Sequence, residues 1–465
     1  MTNQAETVQE KALQINLDTS RYGTFAEIGA GQEVARRFFR VGGASGTVAK
    51  TISAYDMAVS DAVYGPTDRY VSRHRLRSML DHEFQLLIER LDQKRGDRTA
   101  FFVFANTVAT SNYKTHNEGH GWMGIRFQAA PRAEPSEILV HVRMLDHEPD
   151  RQQEALGILG VNLIHGTCYS YHNPEQLIHS LLDELSWRRV EVDMISFSGP
   201  AFAGVDNRLM ALQLVKQGHT EAAMFTADGE AVQWGEVLYK KPVLVQRGSF
   251  RPLTNPMLDM LERAREQFVQ EESLGGEAPI VLLEMTLRQL QVGDQIDHQD
   301  FLDRVDMLRP LGHPVLISNF FRYHRLVTYL SRYTDKPIGL PLGVARLRDV
   351  LDEKFYTDLP GGLLESFGQL FRKGVKMYAY PSLDETDRLT TAEQMEVAPN
   401  LRHLYQHLLQ NHLIEEIRRF NRDYLAMYAG DVLAKIQAGD ATWERLVPPQ
   451  VADVIKAKKL FGCQG

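Results

Sequence analysis

The sequence predicts a mixed α/β fold with parallel, βα-alternating sheets, Rossmann-like and in two units, flanked by helical segments at both ends. Three observations lead there. The chain has 465 residues, 43% of them hydrophobic and 24% charged, which suits two or three domains with a full core. Short apolar runs alternate with amphipathic stretches through its middle, as parallel strands joined by helical crossovers do. Both ends carry apolar residues at helical spacing.

Residues 1–98 read as a helical segment. Leu76, Met79, Leu80, Phe84, Leu87, Ile88 and Leu91 recur at three- and four-residue intervals, with Ser72 as N-cap and Gly96 as terminator. Gly42 to Gly46 reads as an elbow between helices. Residues 99–235 form the first α/β unit. Phe101 to Ala105 is a continuous apolar run, whereas Trp122–Phe127 and Ile138–Met144 alternate like half-buried strands. A helical stretch from Gln152 to about Leu185 leads to a strand at Val190–Phe197, and Asp206–Gln217 is a helix closed by Gly218.

Residues 236–385 form the second unit. After Ala222–Phe225, strands are expected at Pro242–Val245, Pro279–Leu283, Pro314–Ile317, Pro337–Leu340 and Val375–Tyr380. The helices between them include Met257–Val269, Phe301–Leu308, His324–Leu330 and Leu363–Phe371. Residues 386–465 return to helix, from Leu401 through Ile417 and on towards Lys456. Counting strands from Ile138 also permits a closed (β/α)8 barrel as second choice. The connection from Phe225 to Pro242 is short for a barrel helix and favours open sheets.

Charge and cysteine content narrow the function. A formal charge of −8 leaves no basic excess for nucleic acid or an anionic membrane. Cys168 and Cys463 stand far apart, which excludes a disulfide framework and a cysteine zinc site and suits a reducing compartment. The polar start Met1-Thr2-Asn3-Gln4 has no signal-peptide character, and no apolar run reaches the length of a membrane span. A cytoplasmic protein is expected, with homo-oligomerisation as the default.

The segment Lys241 to Leu261 carries the chemistry. An apolar strand ends at Arg247, a turn follows through Gly248, Ser249, Phe250, Arg251 and Pro252, and a helix opens at Thr254 or Asn255 with Pro256 at its first position. Free N–H groups and the helix dipole at such a turn attract anions. Gly248, Phe250, Pro252 and Thr254 resemble the first motif of the nucleotidyltransferase superfamily, G-x-F-D-P-x-[HT]-x-G-H. The chain thereby resembles bacterial proteins classed as nicotinate-nucleotide adenylyltransferase-like.

The resemblance implies ATP and Mg2+ as cofactors, and a nucleotide or phosphorylated small molecule held by Gly248, Ser249 and Thr254. It also departs from the family. Arg251 replaces an Asp, and Pro256-Met257 stands where the family has Gly-His, which removes a backbone donor and a phosphate-binding imidazole. Arg247 or Arg251 would have to supply that charge. The second family motif, I-S-S-T-x-x-R, has only a damaged echo in Ile317 to Arg322. The alternative is a non-enzymatic α/β scaffold or regulatory protein that self-assembles or binds protein partners.

Position nominates further residues. In open parallel sheets ligands sit beyond the carboxyl ends of the strands, which picks out Arg247, Gly248 and Ser249, then Glu284, then Ser318 and Asn319, with Ser198 and Asp228 for the preceding sheet. Glu27-Ile28-Gly29-Ala30-Gly31 has the glycines of a cofactor turn, but helix is expected around it. Ala44 to Thr51 lacks the P-loop glycines and reads as a helix start. His116 to Gly121 follows a strand and could line a pocket. His165 and His172 around Cys168, and Asp146-His147-Glu148, read as packing and turn residues. No set has zinc-site spacing, and no metal is expected.

Overall fold

Six strands build the first sheet: β1 (Arg21–Gly29), β2 (Val48–Ile52), β3 (Ala100–Ala109), β4 (Gly119–Gln128), β5 (Pro135–Met144) and β6 (Val190–Ser198). They lie in the order β2-β1-β3-β4-β5-β6. The computed structural model describes residues 6–29, 31–111, 119–293, 295–372, 374–384 and 386–463. The chain divides into two compact units, Met1–Ala223 and Met224–Gly465, so the division falls upstream of the expected boundary at 235.

The first sheet is parallel only from β2 through β1 to β3; β3, β4, β5 and β6 run antiparallel. This corrects the expectation of a wholly parallel unit. Between Gln128 and Pro135 there is room for a turn, not for the crossover of a dozen or so residues that a parallel return needs. The helical reading of residues 1–98 is corrected too, since β1 and β2 belong to the sheet. Tyr22, Phe25 and Ile28 are spaced like a helix face, yet β1 is covered on both faces and is buried almost without alternation. The stretch Ala44 to Thr51, expected as a helix start, is a short 3-10 turn running into β2.

One face of the sheet packs against the helices Val8–Leu17, Val34–Arg40 and Pro149–Tyr169 through Phe25, Phe38, Phe104, Ile125, Val140 and Leu159. The glycines in the last of these have a packing reason. A Cβ on Gly160 would lie 2.4 Å from Val34 Cγ2, so the absent side chain sets how closely the two helices approach. The helix Arg73–Arg95, capped by Ser72 as expected, packs on β1, β3 and β4.

The second sheet contains β7 (Ala222–Phe225), β8 (Ala231–Val232), β9 (Val243–Arg247), β10 (Ile280–Thr286), β11 (Val315–Ser318), β12 (Ile338–Gly343), β13 (Val375–Tyr380) and β14 (Ile414–Glu416). Its spatial order is β14-β13-β12-β9-β10-β11-β7-β8. The pairings from β14 through to β11 are all parallel. Counted from β9, the strands stand third, second, first, fourth, fifth, sixth, which is the doubly wound Rossmann order. The sheet is open, as expected, and no barrel closes among the described residues. The expected helix from Leu401 to Ile417 ends at Gln410; a left-handed His412 turns the chain, and Ile414–Glu416 joins the sheet edge as β14.

Candidate functional site

In a doubly wound sheet the crossovers leave on opposite faces from the first and fourth strands, and a crevice opens between them at their carboxyl ends. Here those strands are β9 and β12. A cavity of about 470 Å³ lies at these strand ends, lined by Arg247, Thr286, Arg288, Gln289, Phe321, Arg322, Tyr323, Arg346, Asp349, Val350, Phe355 and Tyr356. Its size falls within the usual small-ligand range of roughly 300–1,000 Å³.

Each of its four guanidinium groups follows a different parallel strand. Arg247 ends β9, Arg288 comes just after β10, Arg322 after β11 and Arg346 after β12. Arg247 is the floor. Its Nε and Nη2 donate to the two oxygens of Glu284 at 2.8 Å each, its Nη1 to the Phe321 carbonyl at 3.0 Å, and its plane lies 4.4 Å from the Tyr323 ring centre. Glu284 is fully buried and also accepts a 2.6 Å bond from Ser318 Oγ. The structure therefore joins three strand-end residues nominated from position, Arg247, Glu284 and Ser318, in one satisfied network. Asn319 is exposed beside it.

The walls are less committed. Arg288 is exposed, forms no ion pair among the described residues and rests over Phe321, 5.0 Å from the ring centre. Among the described residues Arg346 bonds only Asp349, one turn along its own helix. Arg322 pairs with Asp358, whose carboxyl it holds below the usual range, while its Nε is buried without a hydrogen-bond partner among the described residues. Burial pushes the Tyr323 phenol up, so it stays protonated at neutral pH. Positive charge, aromatic faces and a phenol thus converge on one concavity in a chain whose net charge is −8.

The turn after β9 is built differently from the phosphate cradle that the motif resemblance implies. Gly248 donates its N–H to the Glu284 carbonyl at 3.0 Å, and a Cβ there would meet the Phe250 ring at 2.9 Å. The glycine makes room for an aromatic ring. Phe250 is fully buried with φ +44°; the Ser249 carbonyl accepts from Arg304 at 3.1 Å; Arg251 pairs with Asp300 at 2.5 Å.

Thr254 is buried and its carbonyl accepts from Met257 and Leu258, both at 3.1 Å. Asn255, the first residue of the helix Asn255–Phe268, donates its N–H to the Leu446 carbonyl at 3.0 Å and its amide to Arg445 at 2.9 Å. Pro256 has no N–H to offer. Of the residues expected to hold an anion, Arg247, Gly248, Ser249, Phe250, Arg251 and Thr254, only Arg247 lines the cavity, and the N–H groups of Gly248, Asn255, Met257 and Leu258 are bonded to carbonyls of the chain itself.

Other nominated residues are placed apart. Glu27 lies on β1, not in helix, and accepts from the N–H groups of Val34 and Ala35 and from Asn106 Nδ2, all at 3.1 Å. Its own carboxylate fills the helix N-terminus that a cofactor phosphate would need. Ser198 is exposed at the end of β6, and Asp228 pairs with Arg309 at 2.9 Å. His165 faces Gln14 at 2.7 Å, Asp146 binds Arg189 at 2.7 Å, and burial pushes the Cys168 thiol up to about 12. His116, Asn117 and Glu118 lie outside the described residues. Among the described residues no three His, Cys, Asp or Glu side chains form a metal-holding group.

Solved structures offer only slight likenesses. A competence/damage-inducible protein from Agrobacterium tumefaciens is 16% identical, covering 35% of this chain and 97% of its own, with a TM-score of 0.25. A CinA superfamily protein from Klebsiella pneumoniae is 10% identical over 35% of this chain and 95% of its own, at 0.27. One from Escherichia coli is 15% identical over 34% and 88%, at 0.24. No protein-family model and no curated protein matches the chain. Function rests on the geometry.

Sequence reasoning missed Arg288, Arg346 and the aromatic walls. Their signal was present: an arginine stands at or soon after the end of each strand from β9 to β12, although the motif resemblance drew attention to Arg247 and Arg322 alone.

Proposed function

We propose that the second unit binds a small anionic ligand with a planar ring, of the mononucleotide class, in the cavity at the ends of β9, β10, β11 and β12. The observation that supports this most is the set of four arginines from four consecutive strand ends, alternating with Phe321, Tyr323, Phe355 and Tyr356. Guanidinium forks match phosphate or carboxylate oxygens, and aromatic faces take a flat ring. The ring would lie between Phe321 and Phe355, whose centres are 5.5 Å apart, after one of them swings aside. The anion would meet Arg288 and Arg346. Arg247, already neutralised by Glu284, sets the floor and the field.

This reading keeps a nucleotide-sized ligand and moves its phosphate away from the turn at Gly248. Adenylyl transfer by the superfamily's route is not proposed, since Pro256 and Met257 offer no donor there.

Isothermal calorimetry with AMP, ATP, nicotinamide mononucleotide and inorganic phosphate tests it. At least one nucleotide should bind more tightly than phosphate alone. Arg288→Ala and Arg346→Ala should each weaken that binding by about 1.5–3 kcal/mol, the worth of a hydrogen bond to a charged group. Absence of binding by every nucleotide, or affinities indifferent to both substitutions, overturns the assignment.

A further inference from the structure

A second constellation lies in the first unit and owes nothing to that cavity. Three adjacent antiparallel strands carry one polar side chain each on a common line: Asp193 on β6, His141 on β5 and His120 on β4. Asp193 Oδ1 lies 2.6 Å from His141 Nδ1, and His141 Nε2 lies 3.2 Å from His120 Nδ1. Asp193 and His141 are buried; His120 is half-buried, where β4 begins beside the carboxyl end of β3. Trp122 packs edge-on against His141, with ring centres 4.9 Å apart.

The chain of contacts dictates the tautomers. A carboxylate only accepts, so His141 carries its proton on Nδ1 and presents a bare Nε2. That lone pair must be met by a donor, so His120 carries its proton on Nδ1. Its own Nε2 is then left as a lone pair, without a partner among the described residues. Asp193 Oδ2 is buried and has no hydrogen-bond partner among the described residues.

We propose that His120 Nε2 is a general base, backed by His141 and Asp193 as positioning residues, that takes a proton from water or a hydroxyl beside an anionic substrate. The oxygen–hydrogen bond breaks and a bond to His120 Nε2 forms. The proton on His120 Nδ1 passes to His141 Nε2, and the resulting charge rests on His141 against Asp193. No oxidant or metal enters.

The anionic preference follows from the surroundings. The charged groups bearing on His120 are His141, Asp193, Arg69 and Arg143, and Arg143 is paired with Glu191. Arg69 is exposed, and its guanidinium forms no ion pair among the described residues. Burial first, and then His141, keep His120 uncharged down to about pH 4.

The test uses the full chain and diethyl pyrocarbonate, which acylates only the neutral imidazole, read residue by residue by peptide mass. Between pH 7.5 and 5.5 an ordinary histidine of pKa about 6.5 loses roughly tenfold in reactivity, whereas His120 should keep its rate. Asp193→Asn offers His141 an amide donor and selects the wrong tautomer, so His120 acylation should fall about tenfold at either pH. Nitrogen-15 spectra of the wild-type protein at pH 7 should show His120 Nε2 unprotonated. An Nε2-protonated His120 in those spectra, or an acylation rate that falls with acid like that of other histidines, overturns the proposal even if the variant does not fold. Nucleotide binding by the second unit leaves this result untouched in either direction.

Discussion

The carboxyl group of Glu27 sits among backbone donors yet is so far removed from water that burial outweighs them, raising it to about 7. A carboxyl raised in the folded state takes up protons on folding. Its contribution to stability is therefore fully present below its ordinary value, 4.5, and is lost as pH rises through 7. The whole difference is on the order of 3 kcal/mol at 1.36 kcal/mol per unit. Glu27→Gln mimics the protonated acid. Denaturant unfolding of the first unit should lose much of its slope between pH 5 and 7.5 in that variant; an unchanged slope would place the titration elsewhere.

Arg247 is governed by the opposite arithmetic. Replacing it with Ala leaves Glu284 buried with its charge uncompensated except by Ser318. Breaking one side of such a pair typically costs about 3–5 kcal/mol. The second unit should be destabilised by that order in urea titration. Removing both charges, as Arg247→Met with Glu284→Leu, should recover most of the loss.

At the scale of elements, the helix Pro149–Tyr169 and the helix Val34–Arg40 touch where Gly160 has no side chain. Alanine there gains up to about 1 kcal/mol of helix propensity. Its Cβ would also stand 2.4 Å from Val34 Cγ2 and 3.1 Å from the Phe104 ring, an overpacking that costs about 1–3 kcal/mol. Sterics should win, and Gly160→Ala should lower the midpoint of unfolding; an unchanged or higher midpoint would mean that Val34 yields freely.

Elements also show what the sequence made legible. Strands β3 to β7 and β9 to β13 announced themselves as apolar or alternating runs, whereas the two-residue β8 did not. β1 was hidden because burial on both faces erased its alternation, and β14 because its three residues directly follow a strongly amphipathic helix. The motif after β9 was read for its letters. Gly248 and Thr254 could equally serve packing, and only Phe250, folded back beneath the glycine, shows which. The strand-end rule, which uses position and not wording, nominated Arg247, Glu284 and Ser318, which share one side-chain network, and also Gly248, Ser249 and Asn319, which stand outside it.

Over the whole molecule, two cores mean that no single unfolding free energy describes the chain. A nucleotide at a hundred times its dissociation constant should stabilise by about 2.7 kcal/mol. Hydrogen exchange should place that gain in β9 to β12 of the second unit, with the amides of β1 to β6 unaffected. Protection confined to the first unit would relocate the ligand. Self-association, the default for such a chain, is checked by sedimentation across concentrations.

The four arginines have a consequence in time. Arg247, Arg288, Arg322 and Arg346 hang from four successive crossovers, and β12 reaches its place beside β9 only after the chain has travelled out through β10 and β11 and returned. Such a pocket cannot ripen piecemeal. During refolding, helical signal should appear first, and capacity to hold ligand should lag until the returning strand docks, because long-range parallel pairing is slow. Ligand uptake would then serve as a clock for the last step of assembly.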